Sequence, residues 1–291
     1  MSITNKRALR DAKSRRFRNI SFSSAAKYMI LIFFALIVIA PILWVLVTSF
    51  KTTREIAMSP FGLPSSPRWE NYTEAWTVGR FSKYFLNSVI VSVPIVIGSV
   101  SLSCLAGYGF ARFKLPGGNI IFYTFLLGLM VPFQSIMIPL FYILRDIHLL
   151  STYWAMILPM IALGLPFGIF FMRAFFLGLP LELDDAAQID GCNEFDVFWR
   201  VMLPLAGPAI STLTVLQFIT AWNSFLVPLI YMQREELRPL VLGLMFFKTR
   251  YTQDIPLTMA GTTIAMLPVI LVYLALQRKF IQGLTAGAVK G

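Results

Sequence analysis

Apolar residues run along this chain in six long blocks, separated by shorter polar or charged stretches. The blocks cover residues 28–50, 85–110, 119–143, 152–172, 205–231 and 256–276, and none contains Asp, Glu, Lys, Arg or His. Each matches or exceeds the roughly 20 apolar residues that a helix needs to cross the hydrocarbon core of a bilayer. The pattern predicts an all-α integral membrane protein with six transmembrane helices. Between the blocks lie a tail at 1–27, a proline-broken loop at 51–84, a polar segment at 173–204 and a tail at 277–291. Residues 85–276 then form the membrane core. Pro132 and Pro139 interrupt the third block, and Pro159 and Pro166 the fourth. Such breaks are tolerated where other helices or a water-lined path take the freed backbone groups. A short apolar run at 240–247, inside the 232–255 loop, is too short to span and reads as an interfacial or partner-facing segment.

The 173–204 segment is the one long polar stretch that also shows helical periodicity. Pro180 suits a first helical turn, which Glu182, Asp184 and Asp185 load with negative charge. Leu183, Ala186, Ala187 and Asp190 share a face, and Gly191 stops the helix where positive φ is wanted. Asn193 is placed to cap a second helix. In it Phe195, Phe198, Trp199 and Met202 recur at helical spacing, and Pro204 and Pro208 close it. A helix, a glycine turn and a second helix of this kind suit a groove in another protein. A solvated loop between two membrane helices is the plainer reading of the same pattern.

Composition supports the membrane assignment. The chain has 291 residues, of which 57% are hydrophobic and 13% charged, and its mean hydropathy is +0.72. That is too apolar for a soluble domain of this size. The net charge of +11 lies in tails and loops, which points to membrane orientation before nucleic acid. Eight Lys/Arg crowd the first 27 residues, ahead of an apolar run too long for a signal peptide and without a small-residue cleavage site. With the N-terminus inside, six crossings put the C-terminus and the 173–204 segment inside too. Fifteen of the 25 Lys/Arg then fall on the inner side.

Several chemistries are missing. Ionisable residues in the spans would mark a proton- or sodium-driven transporter, and charged rings an ion channel. The chain has no GxxxxGK[ST] loop, no HExxH, no GxSxG and no paired-cysteine metal pattern. Its two cysteines, Cys104 and Cys192, do not make a disulfide framework. No cofactor is expected, nor catalysis by this chain. A neutral membrane core with a polar docking hairpin draws its energy from another subunit.

The hairpin spacing is also a family signature. Asp185-Ala186-Ala187, three residues, Gly191, nine residues, Val201, one residue and Leu203-Pro204 resemble the Glu-Ala-Ala loop of ABC importer permeases, with Asp185 where the family usually has Glu. Asn87-Ser88, residues 106–113, Met130-Val131-Pro132, Ile138-Pro139-Leu140, Thr152-Tyr153-Trp154, residues 195–204, Ala221-Trp222-Asn223 and the tail 283–291 resemble the carbohydrate-uptake branch, which includes the second maltose permease subunit. The resemblance covers about residues 25–291. It implies the type I ABC importer permease fold, a five-helix core plus an N-terminal helix, in the bacterial plasma (inner) membrane. It implies a homologous permease as heterodimer partner, an ATP-binding subunit dimer inside, and an extracytoplasmic solute-binding protein. The implied substrate is a carbohydrate, an oligosaccharide above all. The implied ATPase-coupling residues are Asp185, Ala186, Ala187, Gly191, Phe195, Phe198, Trp199 and Pro204. The tail 283–291 would approach the ATPase interface and the 232–255 loop the binding protein. A frayed Gly/Ala terminus is the plainer reading of that tail. Import of glycerol phosphate or a polyol by the same architecture, and an integral membrane enzyme, remain the alternatives.

Overall fold

The computed structural model describes residues 22–247 and 254–288. The basic cluster in residues 1–21, the loop residues 248–253 and the last tail residues, 289–291, lie outside the described residues. Among the described residues every regular element is a helix and none is a strand. The chain divides into two compact units, Met1–Arg68 and Trp69–Gly291.

The first unit is built on α1 (Phe22–Thr48), which from Tyr28 to Val47 is apolar around its whole circumference. A helix of that kind is made for lipid or a protein core. After it the chain turns into α2 (Thr53–Met58), whose start is a full capping box. Thr52 accepts from the Glu55 backbone N–H while the Glu55 carboxylate accepts from the Thr52 N–H. Glu55 also accepts from the backbone N–H and the hydroxyl of Ser65. Lys51 Nζ donates to the carbonyls of Ser59 and Pro60 at 3.0 and 3.1 Å, and Trp44 Nε1 donates to Pro60 at 3.2 Å. The first part of the segment read as a proline-broken loop, residues 51–65, is therefore tied together by hydrogen bonds.

In the second unit α3 (Glu70–Thr77) leads into α4 (Phe81–Arg112), and α5 (Gly118–Leu127) follows. Then come α6 (Phe133–Asp146), α7 (Trp154–Leu177) and the hairpin helices α8 (Glu182–Ile189) and α9 (Glu194–Leu205). The unit ends with α10 (Gly207–Trp222), α11 (Leu226–Tyr231), α12 (Leu240–Gly243) and α13 (Ile255–Ala288). α4 and α7 pack along one another, and α10 packs on both α4 and α13. Glycines permit the approach of α4 and α7. A Cβ on Gly107 would stand 2.7 Å from Met172 Cβ and 2.9 Å from the Arg173 backbone nitrogen, and one on Gly168 would collide with the Ser103 hydroxyl. Small residues at crossings are how helices in lipid gain close contact.

Three apolar clusters fill this bundle. One gathers α4, α7, the hairpin and α10 around Tyr108, Met172, Phe198, Met202 and Leu213. A second joins Ile95, Met156, Met160 and Tyr231, and a third joins Phe81, Tyr84, Trp222, Leu240 and Phe247. Phe81 and Trp222 stand at the opposite ends of α4 and α10 from Tyr108 and Ala209.

Several blocks depart from the continuous helices that their apolar lengths predict. The 119–143 stretch is split by Val131 and Pro132, and its two helices meet at 101°. Pro132 lacks the N–H a continuing helix needs, and it biases Val131 to the extended backbone found there. Pro139 leaves α6 intact. The 205–231 stretch is not one helix either. α9 and α10 meet at 74° around Ala206, and Asn223, Ser224 and Phe225 separate α10 from α11. Pro208 accordingly opens α10 where closure of α9 was expected. The last helix does not stop near 276 but continues to Ala288, so its described part is not a frayed terminus.

The 240–247 run also departs from its reading as an interfacial segment. Leu240, Leu242, Gly243 and Phe247 are buried within the second unit. The Leu240 N–H donates to Ser88 Oγ at 2.8 Å, and Asn87 Nδ2 donates to the carbonyls of Glu236 and Arg238. Tyr153 completes the lock by donating to Asn87 Oδ1 at 2.7 Å.

Candidate functional site

α8 begins at Glu182, two residues after the Pro180 expected to open it. It ends in a Schellman turn. The Cys192 N–H donates to the Ala187 carbonyl and the Gly191 N–H to the Gln188 carbonyl, both at 3.0 Å. Gly191 has φ +86°, the left-handed conformation that this closure requires. A Cβ there would meet nothing within 4 Å, so the constraint is conformational and not steric. Asn193 then accepts from the Asp196 N–H at 2.9 Å and starts α9.

α9 holds an unexpected feature. Its middle, Val197–Met202, is wound as a π-helix. The Leu203 N–H reaches back five residues to the Phe198 carbonyl. In a straight α-helix the ring of Pro204 would collide with the Arg200 carbonyl, and a wider turn relieves that conflict. Pro204 itself is exposed and does not end α9, which runs on to Leu205.

The aromatic residues do not form the single face that their spacing predicts. With Met202 they make two i,i+4 pairs. Phe198, only 4% exposed, and Met202 enter the core, whereas Phe195 and Trp199 are 69% and 48% exposed with rings 5.9 Å apart. On α8, Asp185 and Ala186 are exposed, Ala187 is buried, and Ile189 is 86% exposed at the tip. Of the expected coupling residues, Asp185, Ala186, Gly191, Phe195, Trp199 and Pro204 thus face outward. Ala187 and Phe198 fix the hairpin to the bundle. A groove of about 540 Å³ opens beside it, between Leu105, Tyr108 and Phe113 on one wall and Asn193, Phe195 and Phe198 on the other.

The hairpin is clasped by a group that the sequence pattern did not single out. Arg112, at the end of α4, stands with its Nε 3.0 Å from Asp184 Oδ2, and the two side chains are only 6% and 14% exposed. That N–H is not aimed at the oxygen, so this contact is ionic without an aligned hydrogen bond. Arg112 Nη2 donates to the Leu179 carbonyl at 3.0 Å, and the Tyr108 hydroxyl lies 3.4 Å from Asp184 Oδ1. Burial pushes the Asp184 carboxyl above its usual range, against the opposing pull of Arg112 and the Tyr108 hydroxyl. The Tyr108 ring meets those of Phe113, Phe176 and Phe198 at 5.0–5.6 Å between centroids. The available signal was the i,i+4 spacing of Tyr108 and Arg112 at the end of an apolar block, within the 106–113 stretch that carries part of the family resemblance.

The polar side chains Gln134, Gln217, Asn223 and Ser224 within the apolar blocks are dispersed. Gln217 is buried and donates to the Gly164 carbonyl at 3.0 Å, an interhelical bond. Ser224 Oγ contacts Met160 Sδ at 3.8 Å, and Gln134 and Asn223 are exposed. Among the described residues no cluster of His, Cys, Asp and Glu could hold a metal ion.

Comparison with known proteins settles the family. Residues 99–285 match the family described as binding-protein-dependent transport system inner membrane component. The chain belongs to that family. This permease is 38% identical to the diacetylchitobiose uptake system permease protein NgcG of Streptomyces coelicolor, over 95% of its own length and 90% of the relative's. It is 37% identical to the arabinooligosaccharides transport system permease protein AraQ of Halalkalibacterium halodurans, over 89% and 94% of the two chains. It shares its fold with a chain of a bacterial ABC transporter involved in the import of the acidic polysaccharide alginate. There the TM-score is 0.77 at 23% identity, covering 90% of this permease and 98% of that chain. The all-helical type I ABC importer permease architecture accounts for both results.

Proposed function

We propose that this permease is the membrane subunit of an ATP-driven, binding-protein-dependent importer of carbohydrate, an oligosaccharide in particular. It forms half of a translocation path with a homologous permease. ATP is hydrolysed by a separate pair of subunits on the cytoplasmic side, and a solute-binding protein delivers substrate from outside. The names of the relatives above, for diacetylchitobiose and arabinooligosaccharides, support the substrate class. The neutral composition of the apolar blocks supports an external energy source.

One observation carries the coupling role. The α8–α9 hairpin presents Ile189, Phe195 and Trp199 outward while Ala187, Phe198 and Met202 root it in the bundle. An apolar, helical projection on a rooted base is the shape of a docking element for a groove in a partner. Asp185 and Ala186 lie on its outer side, and Gly191 sets the angle between its helices. In this reading both termini and the hairpin are cytoplasmic.

The test is Gly191→Pro in the assembled transporter, reconstituted in vesicles. Proline cannot adopt φ +86° and lacks the N–H that reaches Gln188. The complex should assemble and hydrolyse ATP while uptake falls. Normal uptake by that variant would remove the coupling assignment.

A further inference from the structure

The ion pair between Arg112 and Asp184 is a costly device if its task is only to stabilise the fold. Two charges taken from water are repaid only when their geometry is excellent, and apolar replacements of similar volume are often as stable or more so. Here the Nε–H is not aligned with Asp184 Oδ2 at 3.0 Å. Yet the same guanidinium holds two backbone carbonyls where α7 passes into the hairpin, Leu179 at 3.0 Å and Pro180 at 3.4 Å. Tyr108, one turn earlier on α4, reaches Asp184 Oδ1 and lays its ring on Phe198 of α9. The last turn of α4 therefore touches the base of the hairpin, its first helix and its second.

We propose that Arg112, Asp184 and Tyr108 are positioning residues that pass displacement of the hairpin to α4. This rests on the reading of the hairpin as the ATPase-docking element. α4 packs against both α7 and α10, so a load applied at its last turn is carried to two further long helices. The Arg112 hydrogen bonds to the Leu179 and Pro180 carbonyls are directional and suit that work better than apolar contact, since they resist sliding in both senses.

The test compares four variants in the tagged, assembled transporter in vesicles, reading solute imported per ATP hydrolysed and the amount of complex recovered. Arg112→Met and Asp184→Asn should each lower the transport-to-hydrolysis ratio about fivefold or more, the lower end of usual coupling between sites. Each leaves one buried charge without its counter-ion, so recovery should fall as well. The double variant Arg112→Met/Asp184→Leu removes both charges. It should restore recovery while the ratio stays low. A parental ratio in the double variant would overturn the proposal and leave the pair a purely structural contact. Trp199→Ala, on the outer face of the hairpin, separates the two levels of the argument. If it uncouples and the double variant does not, the clasp fails alone. If neither changes the ratio, the docking role of the hairpin fails with it.

Discussion

Gly191 shows how much one backbone angle can carry. Its Schellman closure demands positive φ, and there is open space where a side chain would go. Alanine there should cost about 1–2 kcal/mol through the left-handed conformation alone, and asparagine clearly less. Hydrogen exchange at the 191 and 192 amides should quicken in Gly191→Ala and stay near the parental rate in Gly191→Asn. Equal rates in the two variants would show that the angle is not the constraint. Glu55 gives a residue-scale pH effect in the first unit. The Ser65 hydroxyl first, then backbone N–H groups of Thr52 and Ser65, hold its carboxyl at about 2, below the usual 4.5. A depressed carboxyl stabilises the folded form above its unfolded pKa and loses that contribution as pH falls through the folded one. Amide protection over residues 52–65 should hold at neutral pH and decline between about pH 4.5 and pH 2. Glu55→Gln should show no such decline.

At the scale of elements, the crossing of α4 and α7 is set by a few atoms. Gly107→Ala forces a Cβ to 2.7 Å from Met172 Cβ and 2.9 Å from the Arg173 nitrogen, so the helices must part. Overpacking of this kind costs about 1–3 kcal/mol. Gly109, two residues on, offers the control, because its Cβ would find only Phe113 Cδ2 at 3.9 Å. In thermal unfolding of the purified complex, Gly107→Ala should lower the midpoint and Gly109→Ala should leave it nearly unchanged. The π-wound stretch of α9 is another element-scale result. Along it Phe195 and Trp199 stay outside while Phe198 and Met202 go inside, in about two turns that periodicity had placed on a single face.

For the whole molecule, the decisive question is which side of the membrane the hairpin occupies. Ile189, at its tip, is the natural probe because it is 86% exposed. In an Ile189→Cys, Cys192→Ser variant, a membrane-impermeant maleimide should label inverted vesicles and leave intact cells unlabelled. Labelling of intact cells would reverse the orientation and separate the hairpin from any cytoplasmic ATPase.

The chain's own pattern was enough for its class. Long neutral blocks can only be helices in lipid, because no other open structure satisfies the backbone there. The turn at Gly191 and the cap at Asn193 were legible too, since both depend on a few neighbouring residues. The rest depends on contacts remote in sequence. Hydropathy measures the length of an apolar block but not its continuity: Pro132 marked the break at 131–132, whereas those at 206 and 223–225 appear only in three dimensions. The 240–247 run looked superficial until its burial beside α4 was known, and Arg112 looked like an orientation charge until folding brought it 72 residues along the chain to Asp184. Sequence settled what local chemistry and solvent settle, while partnership between distant side chains belonged to the packed bundle alone.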